Sequence, residues 1–234
     1  MTEATSNAKQ VFYLLVEFDQ DYGQFPSDAT AVDELEGYRG EFSNDYLAQF
    51  IVGGYTKSEE IFYAKGGSGT KKRPDNVIDN RNDQLSEGEC GFAYIKDLST
   101  KSPSDTPVLL TPMYGDGYKF NTDTHEGKAA VLRVDGAVKQ FRINTNGHAN
   151  IGGGKTLFDG GADSVWGAEG FDASKLCYAK TPYKFTPSII PKAKPKVWLM
   201  GGLVLLLVVV IVKGIYESRK RVLAKRTGSC PQDK

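Results

Sequence analysis

The sequence predicts an α+β chain with one amino-terminal helix, a series of short strands and one carboxyl-terminal transmembrane helix. Three observations predict it. Apolar residues recur at spacings of three and four between positions 7 and 22. Short apolar runs alternate with turn residues between positions 91 and 143. Residues 197–212, VWLMGGLVLLLVVVIV, are sixteen positions without a charge.

The first helix is expected over residues 7–22. Asn7, with Gln10 three positions later, fits a capping box. Ala8, Val11, Leu15, Phe18 and Tyr22 form one apolar face. Gly23 followed by Pro26 supplies the stop. A second helical stretch is expected over residues 44–52, with Tyr46, Leu47, Phe50 and Ile51 inward. Ser58, Glu59, Glu60 and Ile61 read as a short capped helix or turn. Residues 66–89, rich in Gly, Asn and Asp, read as a long surface loop.

Strands are expected at residues 91–96 and 107–113. Residues 129–134 and 137–143 flank Asp135-Gly136, a hairpin signal for a type I′ turn with positive φ at both central positions. A glycine-rich stretch runs from 147 to 170. Residues 181–196 carry four prolines and four lysines and read as an extended linker. The expected organisation is a globular domain over 1–180, the linker over 181–196, a transmembrane helix over 197–216 and a basic tail over 217–234.

Extended through Lys213 to Tyr216, the apolar run reaches the length a helix needs to cross a bilayer. Trp198 and Tyr216 would bracket it as interfacial anchors, and Lys213 would snorkel to the headgroups. Single-pass membrane localisation is the resulting expectation. Six Lys/Arg follow the run (Lys213, Arg219, Lys220, Arg221, Lys225 and Arg226) and four precede it (Lys184, Lys192, Lys194 and Lys196). This asymmetry leans toward a cytoplasmic tail. The polar start MTEATSNAKQ has no signal-peptide pattern and leans the other way, so the side of the globular domain stays open.

Lys+Arg and Asp+Glu both number 29. That balance excludes the basic excess usual in nucleic-acid binders. Residues 149–156, ANIGGGKT, match a permissive phosphate-loop pattern. No helical period follows them, so they read as a glycine-rich turn, with no nucleotide expected. His125 and His148 are the only histidines and neither lies near an evident nucleophile; no catalytic residue and no zinc site is expected. Asp19 with Asp21, and Asp116, Asp123 and Asp135, form acidic groups without the twelve-residue calcium-loop pattern. They read as solvated turn carboxylates, with calcium as the lesser reading and no cofactor otherwise. Cys90 and Cys177 fit either a disulfide or two buried thiols.

His125, nine residues, then Asp135-Gly136 is the most specific spacing in the chain, and it falls on the expected hairpin. Together with residues 6–26, SNAKQVFYLLVEFDQDYGQFP, it resembles type II secretion pseudopilins and related prepilin-like proteins. In these a helix leaves the membrane and ends in an acidic-Tyr/Asn-Gly-x-Phe/Tyr-Pro turn, and many carry the histidine-nine-Asp-Gly pattern near their end. The resemblance spans residues 6–180. It implies a pilin-like fold, with the helix packed on a small antiparallel sheet, and a non-enzymatic role in assembly with other pilin-like subunits or in interaction with a surface ligand. Val11, Leu15, Phe18, Gly23, Pro26, His125, Asp135 and Gly136 are then structural positions. The family's basic leader and apolar first helix have no counterpart in MTEATSNAKQ, so its filament-building mechanism does not carry over.

A second expectation is a membrane-tethered module binding a carbohydrate or another ligand. Its candidate contacts are Tyr114, Tyr118, Phe158 and Trp166 in glycine-rich loops, against the alternative that these rings fill the core.

Overall fold

The computed structural model describes residues 1–65, 72–115 and 117–181, which lie in one compact unit. Helix α1 runs over Thr2–Tyr22. It begins five residues before the expected start. Ala4 extends the buried stripe of Ala8, Val11, Leu15 and Phe18 by one more turn. Asn7 is therefore inside the helix and caps nothing. Its amide reaches across to donate to the carbonyls of Glu60 (2.9 Å) and Tyr63 (2.8 Å). At the other end Gly23 takes φ 74 and its N–H closes on the Asp19 carbonyl, the left-handed stop that a glycine accepts without a Cβ penalty. Pro26, just beyond, is buried, and its carbonyl accepts the Tyr94 hydroxyl at 2.7 Å.

The expected helix at 44–52 divides into α2 (Ser43–Leu47) and α3 (Gln49–Val52), with Tyr46, Leu47, Phe50 and Ile51 all buried. A single 3₁₀ turn follows at Glu60–Phe62. Phe18 stacks on Tyr22 at 4.4 Å and meets Phe50 edge-on at 5.4 Å, and Phe50 stacks on Phe62 at 6.2 Å. These aromatic contacts fasten α1 to the segment that follows it.

The strands are β1 (Ala93–Ile95), β2 (Pro107–Thr111), β3 (Lys128–Arg133), β4 (Val138–Ile143), β5 (Ala149–Gly152), β6 (Lys155–Thr156) and β7 (Leu176–Cys177). They form one curled antiparallel sheet in the order β6-β5-β4-β3-β2-β1-β7. β1 and β2 are buried throughout, whereas β4 is exposed at Lys139, Gln140 and Arg142. Helix α1 packs on β3 and β4.

This architecture corrects the pilin-like expectation of a helix on a small sheet. Seven strands pair where the sequence pattern marked four. The glycine-rich stretch supplies β5 and β6 as a hairpin through Gly152, Gly153 and Gly154, all at positive φ. β7 then returns to pair with β1, Tyr94 opposite Cys177. Strands of two to four residues carry too little alternation to stand out in a sequence.

The single-pass membrane placement is corrected as well. Among the described residues no helix is long and apolar enough to cross a membrane. Helix α1 has the length, but it carries Glu3, Lys9, Glu17, Asp19 and Asp21. The proposed span at 197–216, with Trp198, Lys213 and Tyr216, lies outside the described residues, as does most of the linker at 181–196.

Candidate functional site

His125 and Asp135-Gly136 sit at opposite ends of β3 and do not meet. His125, Glu126 and Gly127 form a tight turn with φ of 51, 57 and 71. The imidazole is half-buried and its Nε2 has no hydrogen-bond partner. Burial, and then the charge of the Met1 amino terminus nearby, hold its pKa below the ordinary value. At the far end, Gly136 donates to the Arg133 carbonyl (2.9 Å) and Arg133 donates to the Ala137 carbonyl (3.0 Å). Gly136 has φ 76, while Asp135 has no positive φ. The turn is therefore a type I turn closed by a glycine bulge, and the type I′ expectation is corrected. The Asp135 carboxylate accepts the Ala137 N–H at 2.9 Å, and the backbone of Asp135 donates to Ser104. A Cβ on Gly136 would lie 2.6 Å from Cε1 of Phe12. The pattern thus marks the two ends of the strand against which α1 lies.

The expected acidic groups do not gather. Asp19 accepts the Thr100 hydroxyl, Asp21 accepts the Tyr55 hydroxyl and Asp135 holds its own turn. Asp123 is exposed, and Asp116 lies outside the described residues.

A different trio does converge. One carboxylate oxygen from each of Glu59, Asp75 and Glu89 lies within 4.8 Å of the other two. Glu59 and Glu89 are 0 % exposed. Each acid has one oxygen fixed by a backbone N–H: Leu85 donates to Glu59 Oε1 at 2.6 Å, Ser86 to Glu89 Oε2 at 2.8 Å and Val77 to Asp75 Oδ1 at 3.0 Å. Asn76, at φ 57, turns its side chain to accept the Glu59 N–H at 2.8 Å. The second oxygens are left over. Lys72 Nζ stands 2.8 Å from Glu89 Oε1 and 3.5 Å from Asp75 Oδ2. Glu59 Oε2 is buried with no partner. Burial first, and the charges of Glu89 and Asp75 after it, push the Glu59 carboxyl above its ordinary pKa, against the opposing bonds from Leu85 and Asn76.

This cluster organises the loop that the sequence presented as solvated surface. Asn44 donates to the Leu85 carbonyl at 2.6 Å and accepts the Lys180 N–H at 2.8 Å, and Gly91 donates to Phe62 at 3.0 Å. The three acids are far apart in the chain, so no spacing announces them. The one usable signal was that Glu89 stands immediately before a buried run, Cys90-Gly91-Phe92, and Glu59 three residues before another, Phe62-Tyr63-Ala64.

No protein family, curated protein or solved structure matches this chain.

The aromatic candidates are brought together in part. Phe158 stacks on Tyr118 at 4.8 Å and on Trp166 at 6.4 Å. Phe171, which the sequence reading passed over, closes the group at 4.9 Å from Phe158 and 4.7 Å from Trp166. Trp166 Nε1 donates to the Leu157 carbonyl at 2.8 Å. The rings face one another and pack against the core. Tyr114 is half-buried.

Cys90 and Cys177 are free and buried. Desolvation pushes their thiols up to about 11 and about 12.

Proposed function

We propose that this chain is a non-enzymatic subunit that acts through assembly or surface interaction, using the loop over residues 72–92 as a pre-shaped contact surface. The observation that carries this reading is the pinning of that loop. It has no helix or strand before β1, yet side chains of Asn44, Glu59, Asp75 and Glu89 hold its backbone. Loops of this length without regular structure are usually functional when ordered, and ordering in advance reduces the entropy lost on binding. Val77, in this loop, is an apolar side chain left 46 % exposed. The non-catalytic half of the reading is supported by the sequestered chemistry: two buried thiols with raised pKa and a histidine whose free nitrogen is buried.

A photo-reactive amino acid at Val77 tests it, with exposed Lys139 on β4 as the control position. A defined cross-linked species from position 77 alone is expected. Equal labelling from both positions, or turnover across a panel of ester, peptide and glycoside substrates, would contradict the reading.

The convergence of Tyr118, Phe158, Trp166 and Phe171 favours a second reading, a binding module for a carbohydrate or another ligand. The rings spend their faces on each other, which ranks it behind the first. A change in tryptophan fluorescence on titrating a glycan panel, lost in Trp166→Ala, would reverse that order.

A further inference from the structure

We propose that Glu59, Asp75 and Glu89 form a binding site for a calcium-type divalent cation, with the Lys72 ammonium as a built-in counter-ion that the metal displaces. Charge is the first argument. Three carboxylates meet one ammonium among the described residues, which leaves two negative charges in a place where two of the acids have no solvent exposure. Burying carboxylates without compensation is expensive, and a divalent ion in place of the ammonium supplies one more unit of positive charge.

Geometry is the second argument. Backbone N–H groups from Leu85, Ser86 and Val77 consume one oxygen of each acid and fix the plane of its carboxylate. Glu59, one of the three converging acids, then keeps Oε2 fully buried and without a partner. The donor oxygens all lie within 4.8 Å of one another, within the reach of a single calcium ion, whose bonds to oxygen are about 2.3–2.6 Å long. The donors are all oxygen, with no imidazole or thiolate among them, which selects a hard cation over zinc or copper.

Lys72 completes the argument. Its side chain is 52 % exposed, so it can swing into solvent when a metal enters. Its ammonium sits between Glu89 and Asp75, where a cation would compete with it directly. Exchange of one ammonium for one calcium ion brings the local charge from minus two to minus one, and leaves the remaining coordination positions to water.

The test uses the purified full chain, stripped with a chelator and titrated with calcium chloride by calorimetry and by thermal melting, with magnesium chloride as comparison. One calcium ion per chain is expected, with Kd of about 10⁻⁵–10⁻³ M. Lys72→Met removes the competing ammonium and should tighten binding roughly tenfold or more. Glu59→Gln should abolish binding. Should that variant not fold, Asp75→Asn, at a half-exposed acid, should weaken binding by roughly tenfold. No calcium response below about 10 mM in the wild type overturns the proposal even if Lys72→Met responds, because the ammonium then holds the site outright. A Lys72→Met chain that is destabilised and not rescued by calcium overturns it as well.

Discussion

Gly136→Ala isolates the contact between the hairpin turn and α1. Two effects add. An L-residue held at φ 76 loses roughly 1–2 kcal/mol relative to glycine. The new methyl would stand 2.6 Å from Phe12 Cε1 and 2.9 Å from Cδ1 and Cζ, well inside van der Waals contact. Overpacking of this kind costs about 1–3 kcal/mol. Phe12 is only half-buried, so its ring can yield and the lower end applies. The expected total is about 2–3 kcal/mol, or a Tm lower by roughly 4–12 °C for a domain of this size. Urea unfolding of the wild type, Gly136→Ala, Phe12→Ala and the double variant separates the two parts. In the Phe12→Ala background the second substitution should cost only the backbone part, giving a coupling of about 1 kcal/mol. A Gly136→Ala effect below about 0.5 kcal/mol, or additivity within that margin, would refute the argument that turn and helix press against each other.

Three further outcomes follow from the same contacts. Asn44→Ala removes the amide that joins the 72–92 loop to Lys180 and leaves buried groups unpaired, so it should destabilise by about 2–4 kcal/mol in urea unfolding. His125 has a folded pKa below 6.5, so the unfolded chain binds more protons just under 6.5; stability should fall as pH drops from 6.5 toward the depressed value and level off beneath it. His125→Gln should flatten that part of a Tm-versus-pH curve, and an unchanged curve would contradict the assignment. In a Cys230→Ser variant, the buried Cys90 and Cys177 thiols should react with a thiol reagent only on unfolding; fast labelling of the native protein would contradict their burial.

Local patterns were legible where one element decides its own fate. The stripe of Val11, Leu15 and Phe18 and the stop at Gly23 needed nothing beyond helix periodicity and a left-handed glycine. The helix start was misplaced because Asn7 looked like a cap. Its amide is instead committed to carbonyls more than fifty residues away, a demand that no local rule contains. Asp135-Gly136 marked a turn, but the choice between turn types came from the register set by Arg133 and Ala137. The two-residue strands β6 and β7 exist through their neighbours alone, and with them went the estimate of sheet size. The carboxylate trio was invisible for the same reason. Glu59, Asp75 and Glu89 acquire meaning only once the loop closes over them, so a segment that reads as solvated by composition is pinned by buried side chains.

Amide hydrogen exchange at Leu85 and Ser86 tests the central claim most directly, because these N–H groups are the ones given to the buried carboxylates of Glu59 and Glu89. If the loop over residues 72–92 is a pre-shaped surface built around those acids, both amides exchange slowly in the native chain, with protection approaching that of β2 and β3. Exchange of both at the rates of an unprotected loop would contradict the account.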